Sequence, residues 1–302
     1  MKLQSFTLQI FEPEKTVSFY IDVLGFKLLN ELSENDSTYY NLCFESTRFY
    51  LQLKHTPSLK KTVYKQESLD NYWKYSIFVN DIQSVYKELQ KQNIVISEPS
   101  QFGDIGYLAH TTDPENHQIE FIQKTFKQNT VKTLPNSNYP LLENPELGLI
   151  TIRTKDPIKS INFFEEILDL KLFVRMYVTR GNGFTLYFLG DKNLNFPNLD
   201  IDAIENREWM YQQSHLFIEI QHYWNSEYDT NFSLKATPNN GLKSINFSGD
   251  SKLLKEKLIM NNIPFHQEGE SVTFETIDKH LISVKNCRST FKSSTNRIEK
   301  IM

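Results

Sequence analysis

The sequence predicts an α+β protein of two tandem modules, each made of two βαβββ units, and three observations predict it. Residues 3–29 and 147–173 share one order: an alternating strand, an acidic-proline turn (Glu12-Pro13 or Asp156-Pro157), a helical stretch and a further strand. Strand, helix and strand recur at 74–96 and again at 242–265. Each half then closes on a hairpin, around residues 113–116 in the first and within 271–286 in the second.

The elements follow in chain order. Val17, Tyr20, Val23 and Leu24 lie at helical spacing after the first strand, and Ile161, Phe164, Ile167 and Leu168 repeat the pattern. Residues 56–71 and 191–208 read as long loops. The expected domains are a first module at 1–125, a linker at 126–146, a second module at 147–286 and a flexible tail at 287–302. Hydrophobic residues make up 39% of the chain and aromatic residues 13%, which is enough to fill a core in each module.

Composition narrows the function. A formal net charge of -4, with no clustered basic stretch, argues against nucleic-acid binding. Cys43 and Cys287 stand far apart and fit no zinc or redox spacing, which suits a reducing compartment. No apolar signal core and no run of membrane-span length occurs, so a cytoplasmic protein is expected. Glycine is scarce and forms no phosphate-cradling loop.

The phrase SFYIDVLGFKLL (18–29) resembles the first helix and strand of the glyoxalase, bleomycin-resistance and extradiol-dioxygenase superfamily. TDPENHQIEFI (112–122) resembles the closing hairpin of one of its modules. In the second half, IRTKDPIKSINFFEEILDLKL (152–172), GFTLYFLG (183–190) and FIEIQHYWNSE (217–227) are similar to segments of glyoxalase I. The resemblance covers roughly 3–122 and 147–286. It implies curled half-barrel sheets with helices outside, enclosing a cavity for a small molecule. It also implies a divalent metal, zinc or nickel, held by Gln or His, Glu, His and Glu from four strands. Such a metal polarises oxygen while a carboxylate moves a proton.

Carried over residue by residue, the four positions fall on Ser5, Gln52, Lys74 and Glu120 in the first half, and on Leu149, Glu219, Lys243 and Ser283 in the second. Glu120 and Glu219 are ordinary ligands, Gln52 a weak one, and Leu149 none. A charged lysine has three donors and no lone pair. If early and late units of opposite modules pair, one site holds Leu149, Glu219, Lys74 and Glu120, and the other Ser5, Gln52, Lys243 and Ser283. The expectation is a metal-free site in which Lys74 pairs with Glu120 and Glu219. The plainer alternative is a structural ion pair. A metal, if bound, would use Glu120, Glu219 and Gln52.

Arg153 falls where the family places an arginine for a ligand carboxylate, a task suited to its bidentate donors. Phe184, Leu186 and Phe188 match the strand lining the substrate pocket, or else are plain core. Tyr223 replaces an expected Asn, and Gln9 replaces the matching Arg of the first half. Among the histidines, His117 is expected to be exposed beside its turn and His110 to face away from Glu120. His215 could share a face with Glu219, and His222 points opposite.

The resemblance thus implies a glyoxalase-like protein with a degenerate metal site that binds a small molecule in its cavity. The alternatives are an active lactoylglutathione lyase, or a metal-free acid/base enzyme using the surviving glutamates. No cofactor is expected beyond that conditional metal. The expected partner is a small-molecule ligand, with no nucleic acid and no membrane, in a monomer or homodimer.

Overall fold

Four of the helices open on an aspartate cap or a proline. The computed structural model describes residues 1–45, 47–236 and 240–286. The expected tail at 287–302 and Cys287 lie outside the described residues. Unit one comprises β1 (Lys2–Ile10), α1 (Pro13–Ser18), β2 (Lys27–Glu34), β3 (Ser37–Cys43) and β4 (Tyr50–His55). Unit two comprises β5 (Tyr72–Val79), α2 (Ile82–Lys91), β6 (Ser100–Phe102), β7 (Gly106–Thr112) and β8 (Gln118–Gln123). Unit three comprises β9 (Glu146–Thr154), α3 (Pro157–Glu166), β10 (Leu170–Val178), β11 (Phe184–Asp191), α4 (Glu205–Tyr211) and β12 (Phe217–Tyr223). Unit four comprises β13 (Leu242–Gly249), α5 (Ser251–Met260), β14 (Phe265–Glu268), β15 (Ser271–Glu275) and β16 (Leu281–Asn286). The predicted repeat of four βαβββ units is present throughout.

Local chemistry sets the helix ends. The Asp81 carboxylate accepts the backbone N–H groups of Gln83 and Ser84, and Asp250 accepts those of Lys252 and Leu253. Both satisfy donors that a helix start leaves free. Asp81→Ala is expected to cost about 1 kcal/mol, read as a lower urea midpoint at unchanged slope. Helix α1 passes into one π-helical turn at Phe19–Val23 and stops at Gly25, whose φ of 81° suits glycine.

The strands form two curled, half-barrel sheets of eight. Sheet one runs β14-β15-β16-β13-β1-β4-β3-β2 and sheet two runs β10-β11-β12-β9-β5-β8-β7-β6. Each sheet therefore takes one unit from each sequence module, joined at the antiparallel pairs β1/β13 and β5/β9. The larger core lies between the sheets and their helices. It holds Phe6 and Leu8 of β1, Tyr75 and Ile77 of β5, Leu89 of α2 and Phe164 of α3. The Phe6 and Tyr75 rings lie 5.5 Å apart, so the two sheets touch directly.

The closing hairpins lock the sheets together. The turn after β7 places Glu115 Oε1 2.8 Å from Phe11 N and 2.7 Å from Glu12 N, capping the loop that follows β1. The turn after β15 does the same for the loop after β9, where Asp278 accepts from Thr154 Oγ1 and Lys155 N. This overturns the expectation for His117. It is wholly buried, with Nε2 3.0 Å from the Gln9 carbonyl, because the turn tucks beneath a neighbouring loop. His280 repeats the contact on the Asn71 carbonyl at 2.9 Å.

Three other departures are local. The strand expected near 94–96 is reduced to a bridge between Ile96 and Thr111, and β6 begins later. The loop expected at 191–208 carries the start of α4. The segment between β8 and β9 is more than a linker, since it buries Phe126 and Leu141. Among the described residues, no helix is long and apolar enough to cross a membrane.

Candidate functional site

The inner face of sheet two, turned away from the main core, gathers the candidate residues. Strand register explains why. Glu219 on β12 pairs with Thr151 on β9, and Thr151 pairs with Lys74 on β5. In the adjoining row Leu149 pairs with Ser76, Ser76 with Glu120 on β8, and Glu120 with His110 on β7. Cross-strand partners share a face, so all these side chains project together. A register shift at Trp73 delivers Lys74 to Thr151.

The Lys74 ammonium lies between two carboxylates. Its Nζ is 2.5 Å from Glu120 Oε2 and 3.1 Å from Glu219 Oε2. Ser76 Oγ donates to Glu120 Oε2 at 2.8 Å, and Thr151 Oγ1 donates to Glu219 Oε2. The three charged residues are 3%, 5% and 2% exposed, for Lys74, Glu120 and Glu219 in turn. Burial opposes the Lys74 charge, but Glu120 and Glu219 outweigh it and hold the ammonium above its usual value. Burial also opposes the Glu120 charge, yet Lys74 and His110 pull its carboxyl well below the usual range. One ammonium cannot fully serve two carboxylates. Burial, with repulsion from Glu120, therefore leaves Glu219 raised despite Lys74.

Sequence reasoning missed His110, Ser76, Thr151 and Trp73. His110 faces Glu120 rather than away from it, with Nε2 2.9 Å from Glu120 Oε1 and its side chain 45% exposed. The hairpin turn at 113–116 fixes this register, since Thr112 opposes Gln118 and each step inward keeps the count. Trp73 carries Lys74 and Arg153 against its ring, at 4.8 and 5.3 Å from the centroid.

The remaining candidates divide. Leu186 and Phe188 are buried on this inner face, in a second apolar cluster with Phe78, Phe173, Met210 and Tyr211. Helix α4 covers that end of the face. Tyr211 OH donates to the Ile105 carbonyl at 2.8 Å, and Arg207 Nη1 to the Asp104 carbonyl at 2.7 Å. Phe184, half-buried, stands at the opposite end among Trp73 and Tyr223. Arg153 is buried and anchors the chain before β5. Its Nη1 donates to the Glu67, Asp70 and Tyr72 carbonyls, and its Nε donates to Gln221 Oε1 at 2.7 Å. His215 lies ahead of β12, its ring 5.6 Å from Phe49, so the strand does not carry it onto the face of Glu219. His222 bonds Glu227 instead, with Nε2 2.7 Å from Oε2.

The inner face of sheet one holds the other set, and one member shifts. Ser244, not Lys243, pairs with Thr7 as Lys74 pairs with Thr151, because Lys243 falls at a register shift. Gln52 accepts from Thr7 Oγ1 at 2.7 Å and donates to Asn41 Oδ1 at 2.8 Å. Asn246 donates to Ser5 Oγ at 3.0 Å, and Ser283 is its register partner. Gln52 is thus on a different sheet from Glu120 and Glu219.

A fold of paired βαβββ units, with four inward positions converging on each sheet, defines a class. The family model of the Glyoxalase/Bleomycin resistance protein/Dioxygenase superfamily matches residues 2–121. Glyoxalase I of Saccharomyces cerevisiae is 25% identical over 250 residues, spanning 74% of this chain and 70% of that protein. Lactoylglutathione lyase of Schizosaccharomyces pombe is 23% identical over 246 residues, spanning 75% and 73%. The crystal structure of glyoxalase I from Zea mays shares the fold with a TM-score of 0.68 at 15% identity, covering 94% of this chain and 92% of that one.

The superfamily implies a divalent metal at the four inward positions. The residues of sheet two do not fit one. An ammonium bridges the two carboxylates, and Leu149 offers no donor. Among the described residues, no three His, Cys, Asp or Glu side chains converge in a way that could hold a metal ion.

Proposed function

We propose that this chain is a cytoplasmic, metal-independent member of the superfamily that binds a small molecule on the inner face of sheet two. The observation carrying this reading is the Lys74 ammonium held between Glu120 and Glu219, where a fixed cation replaces an exchangeable one. In this reading the ligand enters past the half-buried rings of Trp73, Phe184 and Tyr223, toward Leu186 and Phe188, with the Arg153 guanidinium against the Trp73 ring. Pockets of this kind combine apolar walls with few polar groups. Nucleic acids and membranes are not partners.

A second reading rests on Glu219. A carboxyl lifted by burial and by repulsion from Glu120 suits a general acid, with Lys74 as the electrophilic group.

The test begins with purified protein incubated with excess nickel and zinc and then desalted. The expected result is substoichiometric metal and no turnover of the methylglyoxal–glutathione hemithioacetal. Stoichiometric metal with turnover, lost in Glu219→Gln, would instead establish a lactoylglutathione lyase. Metal-free turnover lost in the same variant would establish acid/base catalysis.

A further inference from the structure

The duplicated closing hairpins offer an internal comparison. In the second module both nitrogens of His280 are served by protein. Its Nε2 donates to the Asn71 carbonyl at 2.9 Å, and its Nδ1 takes the Thr276 hydroxyl at 2.8 Å. His117 holds the same place in the first module, since Asp113 N donates to the His117 carbonyl as Thr276 N does to that of His280. Its Nε2 bonds the Gln9 carbonyl at 3.0 Å. A carbonyl only accepts, so Nε2 carries the proton and Nδ1 is a bare acceptor in the neutral ring. Asp113 stands where the second hairpin has Thr276, and its carboxylate is committed to Glu115 N, His117 N and the Tyr20 hydroxyl. His117 Nδ1 has no hydrogen-bond partner among the described residues.

The Tyr64 and Tyr72 hydroxyls likewise lack a partner among the described residues. The Tyr64 ring lies 5.1 Å from that of His117, and the Tyr72 ring 6.3 Å from each of them. Tyr64 is 4% exposed, and Tyr72 and His117 are wholly buried. Gln9, whose carbonyl holds His117, adds a fourth such atom, its Oε1. A buried polar atom without a partner costs stability, and such atoms are normally met by protein or by ordered water. These three lie on rings in mutual contact. They combine an acceptor that needs a hydrogen with two hydroxyls that can give one, which describes a site for a small molecule able to do both.

We propose that His117 Nδ1 and the Tyr64 and Tyr72 hydroxyls form an internal water site, in which water donates to the imidazole and accepts from the phenols. Buried waters typically make about three such bonds. The site ties together both units of the first module. Tyr64 lies in the loop before β5, Tyr72 opens β5, and His117 ends the turn before β8. The Tyr72 carbonyl also accepts from Arg153 of β9. Trp73 and Lys74 follow Tyr72 directly, so the water fixes the point from which β5 delivers Lys74 to its two carboxylates.

Nuclear magnetic resonance on the full chain, with labelled histidine, tests this through cross-relaxation between long-lived water and the His117 ring protons. A water signal at that ring is expected. Tyr64→Phe and Tyr72→Phe then separate a wet site from a dry one by sign. In a wet site each change strips a bond from the water and lowers the folding equilibrium constant about fivefold, read as a lower urea midpoint at unchanged slope. In a dry site each removes a buried hydroxyl that bonds nothing, and the midpoint rises. Phenylalanine variants that raise the midpoint or leave it unchanged overturn the inference, and so does a His117 ring with no contact to water.

Discussion

Lys74→His combined with Leu149→His should convert the inner face of sheet two into a divalent metal site. The two imidazoles would join Glu120 and Glu219, giving two nitrogen and two oxygen donors, a set suited to zinc or nickel. The register supports this placement. Lys74 and Leu149 project onto the same face as both carboxylates, and Leu149 is paired directly with Ser76 beside Glu120. The carboxylates are already buried and already held by Ser76 and Thr151, so two of the four donors are positioned before any metal arrives. The double variant should retain stoichiometric zinc after desalting, where the wild-type chain retains little. Binding to the folded state alone should add about 2.7 kcal/mol at a hundredfold excess over Kd, visible as a higher melting temperature that a chelator reverses. A folded double variant that takes up no metal would mean that the carboxylates cannot converge on one ion. The reading of Lys74 as the replacement cation would then fail.

The repeat and the four units were legible because side-chain alternation along strands survives the loss of sequence identity, whereas the meeting of Lys74, Glu120 and Glu219 was implied by the family resemblance and its pairing of early and late units. What was not legible depended on register and cover. Lys243 was misplaced by one residue because a shift at that point gives Ser244 the inward position. A bulge leaves no clear mark in composition. His110 faces Glu120, against expectation, because the regular hairpin pairs the two directly across the turn and opposite partners share a face. Helix α4 has only 7 residues and no side-chain cap, so no local signal announces it. Its burial of Met210 and Tyr211 is a tertiary fact, set by the apolar face it covers. His117 beside a turn looked exposed because turns usually are. This one is buried because its Glu115 carboxylate caps the loop of another unit.

Lys74→Met should be the most destabilising single change at the site, costing about 3–5 kcal/mol at neutral pH. Methionine keeps much of the lysine stem and packs adaptably, so the loss is one of charge rather than of volume. Without the ammonium, two buried carboxylates face one another, and each is lifted above the ordinary value of 4.5 for a glutamate. A carboxyl raised in the folded state carries its full stability below the unfolded value and loses it as pH rises through the folded value. The variant should therefore weaken steadily from about pH 4.5 upward. In the wild-type chain Glu120 behaves oppositely. Its carboxyl lies well below 4.5, so its stabilisation holds above that pH and fades only on acidification. The gap between the two proteins should be widest near pH 8 and should narrow toward pH 4. Urea denaturation across that range measures it. Glu219→Gln added to Lys74→Met should recover much of the loss at neutral pH, because the remaining carboxylate, Glu120, still has His110 and Ser76. A gap that stays constant with pH, and that Glu219→Gln does not narrow, would show that the lysine contributes through packing. The two carboxylates would then be no more than neighbours of a side chain that happens to be charged.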